Sequence, residues 1–438
     1  MGIDSLSYNA WEKHLVNRNL VLIALLLVFC DLVLAQGETR AGLWQAERDK
    51  KRENLRPYAS NIAEETMLRL EKGAGFNIKS FYPVIGGSTT SGAGFSAGVR
   101  YWKHRVFGTR SDFQALALHS IKGYQLYQVQ YGQILQKGPE PFLGFGGTGG
   151  LSEFRGTQKR RGDLFLYTDF LYVNFPQEDY YGLGPDSPEE DRTDYLLETA
   201  AVDGVLGYKW NRHAVTAVRS GYIHTNVRSG RDDRFPGTEE LFDDTTAPGL
   251  SSQPDFFRTS ALAFLDYRDN PGHPHRGGLY GFQYSRFEDL DEEQFNFHRY
   301  LVDLRQYVPL GSPQRVLAAR FLTIFNQADE GDRIPFYFLH YLGGSRSLRG
   351  YDRSRFRDNN LLYLSAEYRW EGVHALEFAL FADAGKVFPE ISDFGFDELK
   401  ATYGVGVRLK TAATGFFRFD IGRSPEGIGY YLHFGSGF

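Results

Sequence analysis

From Gly75 to the C-terminus the chain alternates apolar residues with polar or small ones at a period of two, and no other pattern replaces it. Successive side chains of an extended strand point to opposite faces, so this period assigns one face to apolar surroundings and the other to water or charge. In 93–101, Ala93, Phe95, Ala97, Val99 and Tyr101 share a face, and Gly94, Ser96, Gly98 and Arg100 share the other. Further on, Leu362, Leu364, Ala366, Tyr368 and Trp370 oppose Ser365, Glu367 and Arg369, and Tyr403, Val405 and Val407 oppose Gly404, Gly406 and Arg408. Composition agrees. Phe, Tyr and Trp make up 16% of the 438 residues, Gly contributes 49 and Met only 2, a mixture suited to strands and tight turns. The formal charge of −5 shows no basic excess, so no nucleic-acid partner is expected.

Sixteen segments carry the alternation: 76–87, 93–104, 111–121, 124–135, 162–175, 195–210, 213–226, 256–268, 278–288, 295–308, 315–325, 361–370, 374–384, 401–410, 415–423 and 429–438. A water-soluble sandwich would also alternate. The number of segments is even, however, and most reach the roughly 9–11 residues a tilted strand needs to cross a bilayer. After the leader, no apolar run is long enough for a helical span, and backbone groups in hydrocarbon demand closure. The expected fold is therefore all-β: a transmembrane antiparallel β-barrel of sixteen strands over 76–438. On that topology 176–194, 227–255 and 326–360 are external loops, rich in Gly, Pro and Asp. The stretch 136–161 is long for an inner turn.

The N-terminus reads as an export signal. Lys13 and Arg18 precede the apolar run 20–29, and Val33 and Ala35 form a small-residue cleavage site before Gln36. Asp31 opposes a membrane anchor, and the bulky Phe29 before Cys30 opposes lipidation. Removal of 1–35 takes away the only cysteine, so no disulfide is expected. Residues 36–75 carry a charged stretch and a weak 3.6-residue period interrupted at Pro57, which predicts a short periplasmic helical arm.

The densest site signal is LGGSRSLRGYDRSRFRDNN, ending at Asn360, in which Arg346, Arg349, Arg353, Arg355 and Arg357 crowd a glycine-rich loop. The strands that follow present Glu367, Glu377 and Asp383 on their polar face, acceptors for an inserted guanidinium. An arginine fork of this loop held between these carboxylates would tie the loop into the barrel.

Segment 342–351 resembles the signature loop of the bacterial surface antigen family, the barrel shared by the BamA and TamA outer-membrane assembly proteins. Arg349, Gly350 and Tyr351 match its arginine-glycine-aromatic tip, and the resemblance implies that this arginine meets acidic residues at the positions of Glu367 and Asp383. DYRDNPGHPHRGG, with Asp266, Arg268, Pro271 and Gly277, matches the family's inner-turn motif, and QEDYYGLGPDS at 177–187 an outer segment. The C-terminal YYLHFGSGF, with Tyr430, Leu432, Phe434 and Phe438, resembles the terminal strand read by the assembly machinery. The resemblance covers about 76–438 and implies a location in the outer membrane of a Gram-negative bacterium. It also implies assistance in inserting or translocating proteins or lipids there, with a weak seam between the first and last strands. Expected partners are outer-membrane lipid and lipopolysaccharide, and the assembly machinery for the chain's own insertion. Some 40 residues between Ala35 and the first strand leave no room for a POTRA domain, so such a barrel would act with a separate periplasmic partner, assist insertion by itself, or serve as a channel. Rival readings are a gated or passive channel and a surface-exposed scaffold or receptor.

Enzyme signals are weak. Ser345 and Ser347 near His340 lack a nucleophile elbow, and GFGGTGG at 144–150 lacks the lysine and helix of a phosphate loop. His273 and His275 share a turn, but no third ligand is indicated, so neither a metal nor a cofactor is expected.

Overall fold

The computed structural model describes residues 80–85, 92–134, 163–373, 376–410 and 415–434. The expected leader at 1–35, the helical arm at 36–75 and the long stretch at 136–161 lie outside these residues. The alternating segments become strands β1 (Phe81–Ile85), β2 (Ser96–Lys103), β3 (Asp112–Ser120), β4 (Gln125–Gly132), β5 (Asp163–Tyr180), β6 (Thr193–Lys209), β7 (Ala214–Ser229) and β8 (Phe256–Asp266). They continue as β9 (Gly277–Asp289), β10 (Phe297–Leu310), β11 (Ser312–Ala328), the two-residue β12 (Tyr341–Leu342) and β13 (Phe356–Arg357), then β14 (Asn360–Val373), β15 (Leu376–Phe388), β16 (Lys400–Lys410), β17 (Gly415–Arg423) and β18 (Ile428–Phe434). Strand β5 runs through Pro176 because the register shifts between Phe175 and Glu178, and a bulge is where a residue lacking an N–H can sit in a strand.

Sixteen of these strands form one antiparallel sheet in the order β1 to β11 and then β14 to β18, while β12 and β13 pair only with each other. The expectation of a closed transmembrane barrel is corrected here. The order starts at β1 and ends at β18, and among the described residues no ladder joins them. Closure would need main-chain pairing between the two terminal strands. β1 has five residues, all in register with β2, and β18 has seven, all in register with β17. Among the described residues the sheet therefore ends in two edges, at β1 and at β18. Among the described residues no helix is long and apolar enough to cross a membrane.

The two faces differ as the period of two demands. One is bare and carries exposed Leu164, Leu166, Val202, Leu206, Val218 and Tyr403. The other is covered by the segment between β11 and β14. Phe336 and Phe338 of that segment are fully buried, Phe336 against Tyr180 and Tyr195 and Phe338 against Phe256, with ring centroids 4.8–5.0 Å apart. Below this aromatic layer the covered face is charged and internally paired. Arg219 reaches Asp169 at 3.0 Å, Arg258 reaches Asp203 at 2.7 Å, and Asp303 is held between Arg305 and Arg320 at 2.7 and 3.0 Å. Such pairing offsets the cost of burying charge.

Candidate functional site

The segment from 329 to 359 leaves β11, crosses the covered face and places its tip over β14, β15 and β17. Gly350 turns the chain there with φ +120°, and a Cβ at this position would lie 2.7 Å from the backbone nitrogen of Ser424. Gly422 on β17 is the matching close approach, since its Cβ would meet the Arg349 carbonyl oxygen at 2.5 Å. Backbone against backbone brings the Arg349 side chain level with the carboxylates of the sheet.

Arg349 is buried. Its Nε donates to Asp383 Oδ2 at 2.7 Å and its Nη2 to Asp383 Oδ1 at 2.9 Å, a two-pronged contact suited to the planar guanidinium. Its Nη1 donates to Glu367 Oε2 at 3.3 Å and to Asp420 Oδ2 at 3.0 Å. The guanidinium carbon lies 3.3 Å from the centre of the Phe381 ring, adding a cation–π contact. The carboxylates are held in turn: Tyr363 and Ser365 donate to Asp383 at 3.1 and 2.7 Å, and Arg408 and Arg418 reach Glu367 and Asp420, each at 2.7 Å. Asp420 was not singled out from the sequence. The period-two count that places Glu367 inward applies equally to Arg418 and Asp420, which lie between Phe417, Phe419 and Ile421 on the opposite face.

The tip is also fixed to the last hairpin. Gly350 N donates to the Tyr431 hydroxyl at 2.8 Å, that hydroxyl donates to the Tyr351 carbonyl at 3.0 Å, and Ser424 donates to the Gly350 carbonyl at 2.8 Å. The ring of Tyr351 packs against Phe356 at 5.0 Å. The other arginines of the loop are not equivalent. Arg346 is exposed, whereas Arg353 meets Glu178 at 2.5 Å, Arg355 meets Glu426 at 3.0 Å, and Arg357 donates to the Tyr195 hydroxyl and the Phe336 carbonyl. Segment 177–187 thus packs against the same loop, and Gly184 N donates to the Arg357 carbonyl at 2.8 Å.

The inner-turn residues form a separate clamp at the other end of the sheet. Arg268 grips Asp266 with two bonds of 2.8 and 2.7 Å, its Nη1 reaches the Pro271 carbonyl at 3.5 Å, and Gly277, at φ +92°, lets the chain pass the Tyr267 carbonyl. Of the terminal-strand residues, Tyr430 and Leu432 are exposed on the bare face and Phe434 pairs through its backbone with Phe417, while Phe438 lies outside the described residues. Glu377 does not contact Arg349; it lies 3.8 Å from Arg408 and faces His273 at 3.1 Å.

The described residues thus form a sixteen-stranded antiparallel sheet with a charged, loop-covered face and an apolar bare face. Residues 163–437 match the Omp85 superfamily domain, and the chain belongs to that superfamily. Among solved structures it is similar to BamA from Haemophilus ducreyi lacking POTRA domains 1–3, at 16% identity over 82% of this chain and 69% of that one, with a TM-score of 0.57. It also matches CdiB from Escherichia coli and from Acinetobacter baumannii. Both are 12% identical over 81% of this chain, covering 62% and 59% of theirs with TM-scores of 0.48 and 0.43. The BamA likeness is one of fold. Superfamily membership puts the protein in the outer membrane of a Gram-negative bacterium, in the general work of protein transport and insertion, and that work is not enzymatic.

Proposed function

We propose that this chain assists the insertion or translocation of proteins or lipids at the outer membrane by offering the free edge of its sheet, with no covalent step. The observation that carries this reading is that β1 and β18 each have a single neighbour among the described residues. An edge strand leaves a row of N–H and C=O groups open, and in hydrocarbon each open group is costly, so an incoming strand is held there by main-chain hydrogen bonds. Tyr431 links that edge to the loop tip, so the Arg349, Glu367, Asp383 and Asp420 cluster acts as a latch that fixes the loop beside the working edge. Tyr430, Leu432, Phe434 and Phe438 serve recognition of the chain by the assembly machinery during its own insertion. Lipid and lipopolysaccharide meet the bare face, and a separate periplasmic partner delivers clients.

The test is reconstitution of the purified protein in phospholipid vesicles, with an unfolded outer-membrane β-protein added and its protease protection followed over time. Protection should appear several-fold faster with the intact protein than with empty vesicles, and Arg349→Ala should remove most of the gain. No acceleration, accompanied by steady ion conductance across the same vesicles, would favour a channel instead.

A further inference from the structure

The turn between β8 and β9 reaches across β10 and β11 to the ends of β14 and β15, and there it gathers two imidazoles and two carboxylates. His275 Nε2 lies 2.9 Å from Glu371 Oε1, and His273 Nε2 lies 3.9 Å from the same oxygen and 3.1 Å from Glu377 Oε2. The donor atoms of His273, His275 and Glu371 all lie within 4.8 Å of one another. We propose that His273, His275 and Glu371 form a three-ligand binding site for a divalent transition-metal ion of the zinc type. This site is independent of the insertion reading.

Three features favour a built site over a chance meeting of side chains. First, the turn is rigidly shaped: Asp269 Oδ1 accepts the backbone N–H groups of Asn270, His275 and Arg276 at 2.9, 3.0 and 3.3 Å, and Arg369 Nη2 donates to the Pro274 carbonyl at 3.2 Å. Second, His273 is buried to 9% exposure, and its Nε2 is aimed into the cluster, 3.1 Å from Glu377 Oε2 and 3.9 Å from Glu371 Oε1. Third, the donor set suits the ion. Two imidazoles select zinc-like metals over magnesium or calcium, and with metal–ligand bonds of about 2.0–2.1 Å a tetrahedral site needs donors roughly 3.3 Å apart. The separations of 2.9 and 3.9 Å between imidazole and carboxylate donors bracket that value. Asp269 Oδ2, 3.9 Å from His275 Nδ1, stands where it can orient the ring from behind. Arg408 Nε lies 3.8 Å from Glu377 Oε1, and its positive charge beside the cluster limits affinity. The sequence offered only two ligands within one turn, and the fold supplies the third from a strand about a hundred residues away. A bound ion would staple the turn to β14 across two intervening strands.

The experiment uses the full-length protein in detergent, stripped with chelator and titrated with Co²⁺ and then Zn²⁺. One equivalent of Co²⁺ should give the strong visible absorption of a tetrahedral site and be displaced by Zn²⁺, and Zn²⁺ should slow proteolysis within 267–276. His275→Ala and Glu371→Gln should each weaken binding at least 10-fold, while His104→Ala, at an exposed histidine paired with Asp112, should leave it unchanged. Absence of the band, binding unaffected by the first two variants, or loss in His104→Ala would overturn the site. Should a variant fail to fold, zinc protection of the turn in the unaltered protein decides alone, and its absence overturns the proposal.

Discussion

Arg349 carries the largest expected effect of any single residue in the loop. Its removal leaves Asp383, Glu367 and Asp420 buried with less compensation, and breaking a buried pair in this way costs about 3–5 kcal/mol. Arg349→Ala should therefore sharply increase protease cleavage within 329–359 while circular dichroism shows nearly unchanged β content. Arg349→Lys should recover little, because an ammonium cannot make the two-pronged contact with Asp383 and reach two further carboxylates. Arg355→Ala should do much less, since its partner Glu426 is a quarter exposed and water can replace the lost charge. Equal cleavage of the alanine variants would show that the loop is held by its aromatic packing rather than by the arginine. A second residue-scale effect concerns pH. Burial, aided by Asp393 and Glu390, pushes the Asp358 carboxyl up to about 6. Its folded value then exceeds its unfolded one, so the folded state binds the proton more tightly, and this site gains stability as pH falls from 7 through 6 toward 4. Cleavage near 358 should be slower at pH 5 than at pH 7.5, and Asp358→Asn should flatten that difference. An unchanged pH response in the variant would assign it to other groups.

At the scale of elements, the contact between the loop tip and β17 is one of backbone on backbone and needs no charge. Gly422 has no side chain where the Arg349 carbonyl rests, and a Cβ placed there would also lie 2.6 Å from the Arg349 carbonyl carbon. Neither atom belongs to a flexible side chain, so relief requires the tip to move. Gly422→Val should accordingly loosen 329–359 as Arg349→Ala does, although every charged partner is still present. Cleavage mapping of the two variants side by side would show it. A valine that leaves the loop resistant would mean that β17 yields instead of the tip.

For the whole molecule, the open strand order has a measurable signature. Central strands such as β6 and β10 hydrogen-bond to a neighbour on each side, whereas among the described residues β1 and β18 pair on one side only. Amide hydrogen exchange follows local opening, which is easiest where backbone bonds are fewest. Amides of Ile428–Phe434 should exchange markedly faster than those of Phe297–Leu310 in the same detergent-solubilised protein. Equal protection would indicate that the two edges pair in solution.

The period of two, read residue by residue, was enough to locate the strands and divide their faces, because side-chain alternation is a local property of extended backbone. It placed Glu367 and Asp383 on one face with no knowledge of the fold, and the same count applied to 415–423 would have added Asp420. Whether the first and last strands meet was not legible, because pairing between segments some 350 residues apart depends on register and curvature accumulated over every strand between them. The burial of Arg353, Arg355 and Arg357 was hidden for a related reason: their partners Glu178, Glu426 and Tyr195 come from three different connections or strands. The meeting of His273 and His275 with Glu371 and Glu377 likewise exists only once the sheet carries the β8–β9 turn across β10 and β11. Local alternation fixed which face each side chain takes. Which distant side chains share that face was decided by the packing of the sheet and the loop that covers it.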